Sequence, residues 1–112
     1  MAEAPSARAM EKARELALEV QRLTSTLPEE ERHGLREQLQ EAAVASASSL
    51  AEGQEPGADC ARAAGKAGAA AAEVLYYLML ARDQGYLTEP ESVRGRDLAT
   101  EVLRLTNSLR QL

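Results

Sequence analysis

The chain has 112 residues, the length of one domain, and its 18 acidic and 13 basic residues give a formal net charge of −5. This acidic balance disfavours a strong phosphate-binding surface, because affinity for nucleic acids depends mainly on lysine and arginine displacing counterions. The single cysteine excludes an internal disulfide and a cysteine-rich zinc site. Because aromatic residues make up only 3% of the chain, the core must be aliphatic, which suits helices better than sheets.

The sequence predicts neither export nor insertion into a membrane. The first ten residues, MAEAPSARAM, include an acid and lack the apolar centre of a signal peptide. The longest fully apolar run, VLYYLMLA at 74–81, is too short to span a bilayer. We therefore expect a cytoplasmic protein without a membrane partner.

The first half of the chain predicts two helices. Over 6–25, apolar residues recur every three or four positions, which places them on one face of a helix. Pro28 and the three acids after it predict the start of a second helix over 29–52, since proline fits the first turn and acids complement the helix dipole. Between 42 and 49, every residue of this helix except Val44 is Ala or Ser.

A third helix is predicted over 59–84, after a loop rich in glycine and proline, with Asp59 as its N-cap. Its first half carries two rows of small residues, Ala61–Gly65–Ala69 and Ala64–Gly68–Ala72. We expect these rows to pack against the small residues of the second helix and to bring the two backbones close together. The alternative is that alanine is present for its helix propensity alone, which would not explain the glycines.

A fourth helix is predicted over 89–111, because Thr88 and Glu91 have the spacing of a capping box. Its apolar stripe consists of Leu98, Val102, Leu105, Leu109 and Leu112. Four amphipathic helices with short connections predict an all-α fold, an up-and-down antiparallel four-helix bundle, as a single domain over 1–112.

The third helix is apolar on every side from Val74 onward, although a helix of a small bundle needs only one buried stripe. This surplus predicts a second buried face, covered by another copy of the chain in a homo-oligomer. The alternative is that the tyrosines lie along the bundle edge with their hydroxyls in water. The candidate interface residues are Leu18, Val74, Tyr76, Tyr77, Leu80 and Leu103.

Catalytic and metal sites are not predicted. His33 and Cys60 form a conceivable nucleophilic pair, but no third member is identifiable, and surface or packing roles suit both better. Glu30 and His33 have the Glu-x-x-His spacing of metal-binding bundles, but the motif occurs once. We therefore expect a protein that is not an enzyme, with no cofactor and no metal ion.

Basic residues are concentrated in the first and fourth helices and are candidates for contact with RNA. The alternative is ordinary surface charge, balanced by Glu11, Glu15 and Glu19. The candidate RNA-binding residues are Arg8, Lys12, Arg14, Arg22, Arg94, Arg96 and Arg104.

The elements KAREL, PEEERHGL, QLQEAAV, AEG and LARDQGYL follow one another along the chain. In this order and spacing they resemble, over about residues 10–112, the four-helix-bundle family encoded in intervening sequences of bacterial 23S ribosomal RNA genes. That family also includes the accessory variability determinant of diversity-generating retroelements. The resemblance implies an antiparallel bundle that associates into rings, commonly pentamers, with no established catalysis. It also implies an association with RNA, or with a nucleic-acid-associated protein, through a basic surface.

The chain departs from this family where positive charge is expected. Relatives tend to have an arginine pair at the positions of Gln40 and Glu41, and a basic loop where this chain has QEPGAD. Relatives also carry Ser-Ile-Pro-Ser-Asn-Ile before AEG, whereas this chain has ASASSL at 45–50. The departures weaken the expected nucleic-acid surface and leave the expected fold unaffected.

Overall fold

A computed structural model describes residues 4–111 of the chain. In this part of the chain the structure consists of helices and connecting turns, with no strand. The α-helices are α1, Pro5–Thr24; α2, Leu35–Glu52; α3, Cys60–Asp83; and α4, Glu89–Arg110. The all-α fold is therefore as predicted. Two expectations extend beyond the described residues. The expected absence of a signal peptide includes residues 1–3, and the apolar stripe of α4 ends at Leu112.

Each helix packs against two others, in the cyclic order α1, α2, α3, α4 and back to α1. Neighbours run antiparallel, because the end of one helix meets the start of the next while their middles also touch. The defining contacts are Ser46–Ala67 and Gly53–Ala63 between α2 and α3, Gly68–Thr106 and Gly95–Leu78 between α3 and α4, and Arg8–Glu101 and Glu15–Arg94 between α1 and α4. At one end of the α1–α2 pair Gln40 donates to Thr24, and towards the other end Ala7 and Ala51 line one groove.

The core at the centre of the bundle is aliphatic. All four helices contribute large, fully buried side chains to it, namely Leu16 and Val20 of α1, Leu39 of α2, Val74 and Leu78 of α3, and Val102 of α4. Alanines fill the spaces between them, so the helices can lie close together around a core that contains no aromatic ring in its buried part. No helix within residues 4–111 has the length and apolarity needed to cross a bilayer.

The helix boundaries follow local capping signals. The Asp59 carboxylate accepts a hydrogen bond from the Arg62 amide at the start of α3. Thr88 and Glu91 form the predicted capping box at the start of α4. After α3, Gly85 has a φ of 82°, the left-handed conformation that glycine adopts without strain. These signals fix the end of the break between α2 and α3 and both ends of the break between α3 and α4.

The start of α2 differs from the prediction. Residues Glu29–Glu31 form a separate 3-10 turn, and α2 begins only at Leu35. Gly34 has a non-helical backbone, and the Glu31 carboxylate accepts a hydrogen bond from the Leu35 amide at 3.1 Å. The acids that were expected inside the helix therefore precede it, and Glu31 caps it from outside.

The small-residue rows of α3 also pack differently from the prediction. The α2–α3 pair is close, since the Ser46 hydroxyl donates to the Ala67 carbonyl at 2.9 Å. The glycines of α3, however, face α4. A Cβ at Gly68 would lie 2.8 Å from Oγ1 of Thr106, and one at Gly65 would lie 3.5 Å from Nε of Arg110. Glycine is therefore required by the approach of α4 to α3 at Gly68.

Candidate interaction surfaces

The outer surface between α1 and α2 is an apolar groove. Leu18 and Val44 stand on its walls with 60% and 59% of their surfaces exposed. Alanines, a serine, Met10 and the charged Glu11 and Arg14 form the rest of the groove. Its lining residues are Ala7, Met10, Glu11, Arg14, Ala17, Leu18, Val44, Ala47, Ser48 and Ala51. Exposed side chains as large as Leu and Val that share one groove indicate a contact surface.

A second groove lies between α3 and α4. Small residues of α3 form one wall, and polar and basic residues of α4 form the other. The lining residues are Gly65, Gly68, Ala69, Ala72, Thr100, Leu103, Arg104, Thr106, Asn107 and Arg110. Tyr76 follows Ala69 and Ala72 on the same side of α3, one helical turn beyond the groove, with 60% of its surface exposed. Its ring packs edge-on against Tyr77, with the centroids 5.7 Å apart.

The structure corrects one of the six candidate interface residues. Val74 is completely buried in the core of its own chain and cannot contact a second copy. It lies only two positions before Tyr76, and the two side chains point in nearly opposite directions because an α-helix turns about 100° per residue. Leu18 and Tyr76 are exposed, whereas Tyr77, Leu80 and Leu103 are half-buried against the core.

Sequence reasoning missed three exposed apolar side chains. Val44, Met79 and Val93 each have about 40% or more of their surfaces accessible. Val44 carried a signal, because it is the one large residue in the Ala and Ser stretch of α2 and lies on the face opposite Leu39 and Leu50. Met79 carried no separate signal, since it is part of the apolar run at 74–81, and Val93 is a single apolar residue among polar and charged ones.

Five of the seven candidate RNA-binding residues converge on the seam between α1 and α4. They alternate there with carboxylates, so each positive charge has a negative neighbour. The ion pairs are Arg8–Glu101, Arg104–Glu101, Lys12–Glu15, Arg22–Glu19, Arg94–Glu15 and Arg94–Glu19. Acidic residues therefore pair with these basic residues, as the alternative interpretation of ordinary surface charge expected. Glu15 and Glu19 take part in these ion pairs, and Glu11 does not.

The other two candidates lie elsewhere. Arg14 lines the α1–α2 groove. Arg96 binds the carboxylate of Glu89, which also accepts a hydrogen bond from Arg82 of α3 at 3.0 Å. The structure therefore does not bring Arg14 and Arg96 together with the other basic residues, because their helical positions face α2 and α3 instead of the seam.

The seam is built around one buried carboxylate. Glu19 is 6% exposed, and Arg22 donates to both of its oxygens at 2.9 and 2.6 Å. At the other end, hydrogen bonds from Arg104 and then Arg8 hold the pKa of Glu101 below its ordinary value of 4.5. Both carboxylates therefore bind arginines that a phosphate would need.

The two residues considered for nucleophilic chemistry are in different places. His33 lies in the turn before α2 and is exposed, beside Glu37 at 3.4 Å. Cys60 begins α3, and its thiol donates to the Gly53 carbonyl at 3.1 Å. Within residues 4–111, no group of three or more His, Cys, Asp or Glu side chains is arranged to hold a metal ion.

The candidate sites of this helical bundle are thus two grooves and one charged seam on its outer surface. A family model described as the 23S rRNA-intervening sequence protein matches residues 6–108. The chain therefore belongs to this family, as its sequence elements indicated.

A solved structure supports the fold assignment. It is a crystal structure from Bacteroides thetaiotaomicron VPI-5482, described as a protein with unknown function from the S23 ribosomal protein family. The chain is similar to it with a TM-score of 0.87 and 18% sequence identity, over 97% of this chain and 100% of that one. At this identity the likeness shows a shared fold. No curated protein matches the chain.

Proposed function

We propose that this protein is a non-enzymatic scaffold of the cytoplasm that associates with copies of itself into a ring. The observation that carries the proposal is the exposure of large apolar side chains on a bundle whose own core is already complete. Leu18, Val44 and Tyr76 gain nothing from the fold of a single chain, because each keeps more than half of its surface in water. Association would remove that surface from water.

The family supports a ring as the form of this association. The sequence resemblance implies rings that are commonly pentamers, and the four-helix bundle matches that expectation at the level of the subunit. Members of a ring contact each other through surfaces on two sides of each subunit, and the bundle has apolar grooves on two sides.

The experiment is a native mass measurement on protein purified without nuclease, at low and high salt. We expect a mass near five times 12.1 kDa that persists at high salt, because apolar contacts are not screened by ions. A single chain of 12.1 kDa at every concentration would overturn the proposal.

A second candidate function is association with RNA, and the convergence of five basic residues on the α1–α4 seam favours it. The carboxylates in that seam count against it, since each arginine would have to exchange an internal partner for a phosphate. Lys12, Arg22 and Arg94 face this competition directly, through Glu15 and Glu19.

The same preparation separates the two functions. Bound RNA would add mass that ribonuclease removes, and its affinity would fall steeply as salt is raised from 50 to 200 mM, by about 10-fold or more for even a few phosphate contacts. Arg94→Glu would then abolish the added mass. The scaffold function alone predicts no such mass and no effect of Arg94→Glu on assembly.

A further inference from the structure

We propose that Gly34 is a hinge that gives α2 two alternative starts, and that the Glu31 carboxylate is the latch that selects between them. In the closed form, which the structure shows, α2 starts at Leu35. In the open form, Gly34 becomes helical and α2 continues back to Glu29, the start that the sequence predicts. This device goes beyond the proposed function, because it does not depend on self-association.

The latch is one carboxylate with a hydrogen bond on each oxygen. Oε1 of Glu31 accepts from the Leu35 amide at 3.1 Å, and Oε2 accepts from the Tyr86 hydroxyl at 3.0 Å. The first bond caps α2, and the second joins the turn before α2 to the turn between α3 and α4. Because both bonds belong to one side chain, loss of the Tyr86 bond also frees the group that caps α2.

The Tyr86 side of the latch is fixed by its own turn. The Tyr86 amide donates to the Ala81 carbonyl at 2.9 Å, after Gly85 has turned the chain with its φ of 82°. The Tyr86 ring packs against the core, and the next residue, Leu87, is buried. The hydroxyl is therefore a donor held in place, and the segment that moves is the one that carries Glu31.

The break between this segment and α2 is centred on Gly34. Arg32 already has right-handed helical angles, and the Gln38 amide already donates to the Gly34 carbonyl, as in an α-helix. Gly34 has a φ of −112° and a ψ of −116°, so a helical conformation requires mainly a change in its ψ. The Leu35 amide would then donate to the backbone carbonyl of Glu31 instead of to its carboxylate.

Glycine at position 34 favours the closed form in two ways. In the closed form a Cβ there would lie 2.8 Å from Oε1 of Glu31, so a side chain would push the capping carboxylate away. In the open form glycine disfavours the helix relative to alanine. Pro28 and the acids after it act in the other direction, because proline fits the first turn of a helix and acids complement its dipole. Local sequence therefore favours the longer helix once the latch is released.

One ion pair also crosses the hinge. Glu29 contacts Arg36 of α2 at 3.5 Å, and it contacts Arg32 at 3.4 Å. The Glu29 side chain is 70% exposed, so water and salt screen these contacts and they add little to the closed form. Among the described residues, the Glu31 carboxylate is therefore the group that decides where α2 starts.

The experiment compares backbone chemical shifts of the isotope-labelled wild type, Tyr86→Phe and Gly34→Ala, each as the full chain. Tyr86→Phe keeps the ring and removes the hydroxyl, so it releases the latch from outside the moving segment. Gly34→Ala releases it at the hinge, because the added methyl displaces the carboxylate and favours helix. In both variants we expect the Cα shifts of residues 29–34 to move to helical values.

Hydrogen exchange gives a second readout at one amide. Within residues 4–111, the His33 amide makes no backbone hydrogen bond in the closed form. In the open form it donates to the Glu29 carbonyl, as the i to i−4 pattern of an α-helix requires. Its exchange with solvent should therefore slow by about 10-fold in both variants.

Two control variants make the same chemical changes elsewhere. Tyr77→Phe removes the hydroxyl of another half-buried tyrosine, on α3. Gly65→Ala adds the same methyl within α3, where the nearest side-chain atom is 3.5 Å away. Both controls should leave the shifts of residues 29–34 and the exchange of the His33 amide as in the wild type.

The outcomes separate a latch from a simple structural contact. Helical shifts over 29–34 in both variants, with α3 and α4 unchanged, would support the proposal. Coil shifts and faster exchange over 29–34 would show that the Tyr86 bond only secures the turn, and unchanged shifts would show that α2 has one start; either result overturns the proposal. Helical shifts in Gly34→Ala alone would overturn the role of the Glu31–Tyr86 bond. If Tyr86→Phe does not fold, Glu31→Gln replaces it, with Glu30→Gln as its control.

Discussion

Helix α4 is held by different means on its two sides. Towards α1, long charged side chains bridge the helices, as in the contacts of Arg8 with Glu101 and of Arg94 with Glu15. Towards α3, side chains of one helix lie directly against glycines of the other, since a Cβ at Gly68 would lie 2.8 Å from Oγ1 of Thr106. The distance between α4 and α1 can adjust because the long side chains that bridge them can move. The close contact between α4 and α3 leaves no such freedom.

This difference separates structural from functional signals in the sequence. The clustered arginines and the paired glycines are the most conspicuous features of the composition, and both are used inside the chain. Leu18, Val44 and Tyr76 have no such use. The residues that suggest a partner are therefore the ones that contribute neither to the α1–α4 seam nor to the contact between α3 and α4.

The largest expected effect concerns the close side of α4. Gly68→Ala should lower the free energy of unfolding by about 1–2 kcal/mol, because overpacking against the buried Thr106 outweighs the gain in helix propensity. Gly65→Ala, one turn earlier, meets Arg110 only at 3.5 Å and should raise stability by up to about 1 kcal/mol. Urea unfolding of both variants measures the difference, and a stabilised Gly68→Ala would show that the α3–α4 contact is loose.

A smaller effect is expected on the charged side of α4 at its buried carboxylate. Glu19→Gln should cost about 1 kcal/mol, since the amide keeps the shape of Glu19 but loses the charge that both Arg22 hydrogen bonds depend on. Glu15→Gln is the matched control, because Glu15 is more exposed and its ion pairs with Lys12 and Arg94 are longer. Thermal unfolding should show almost no change for the control; equal losses would mean that burial of Glu19 adds nothing.

The smallest effect is a dependence on pH. The pKa of Glu101 is lowered in the folded state, so its contribution to stability is fully present above the ordinary value of 4.5 and is lost as the pH falls through the lowered value. Glu101→Gln should therefore be less stable than the wild type at pH 7, and the difference in thermal midpoint should shrink as the pH is lowered below 4.5. Glu73→Gln on α3 should show no such convergence, and a constant deficit of Glu101→Gln across this range would contradict the assignment.

The sequence predicted the parts of the fold that depend on nearby residues. Asp59 and the Thr88–Glu91 pair cap helices through hydrogen bonds three residues apart, so their spacing was sufficient. The delayed start of α2 was not predictable in this way. It depends on the non-helical backbone of Gly34 and on the Glu31 side chain reaching forward to cap Leu35.

The candidate surfaces were predicted less completely, because they depend on helix rotation and on distant partners. Val74 and Tyr76 are neighbours in an apolar run, yet only the packing of α3 decides that Val74 is buried and Tyr76 is exposed. The partner of Arg8 is Glu101, 93 positions away. Only the fold places that acid beside it, so this ion pair of the α1–α4 seam could not be derived from local charge patterns.

The cyclic order of the helices has a consequence for how the chain can be cut. Helix α4 packs against α1 although no loop joins the two, and Pro5 and Leu109 line one cavity at the same end of the bundle. A short linker from the end of α4 to the start of α1 would therefore close the chain into a circle. The circle could be opened within the α2–α3 loop, at the exposed Gln54 to Pro56 segment, to give a circular permutant with the same four helices.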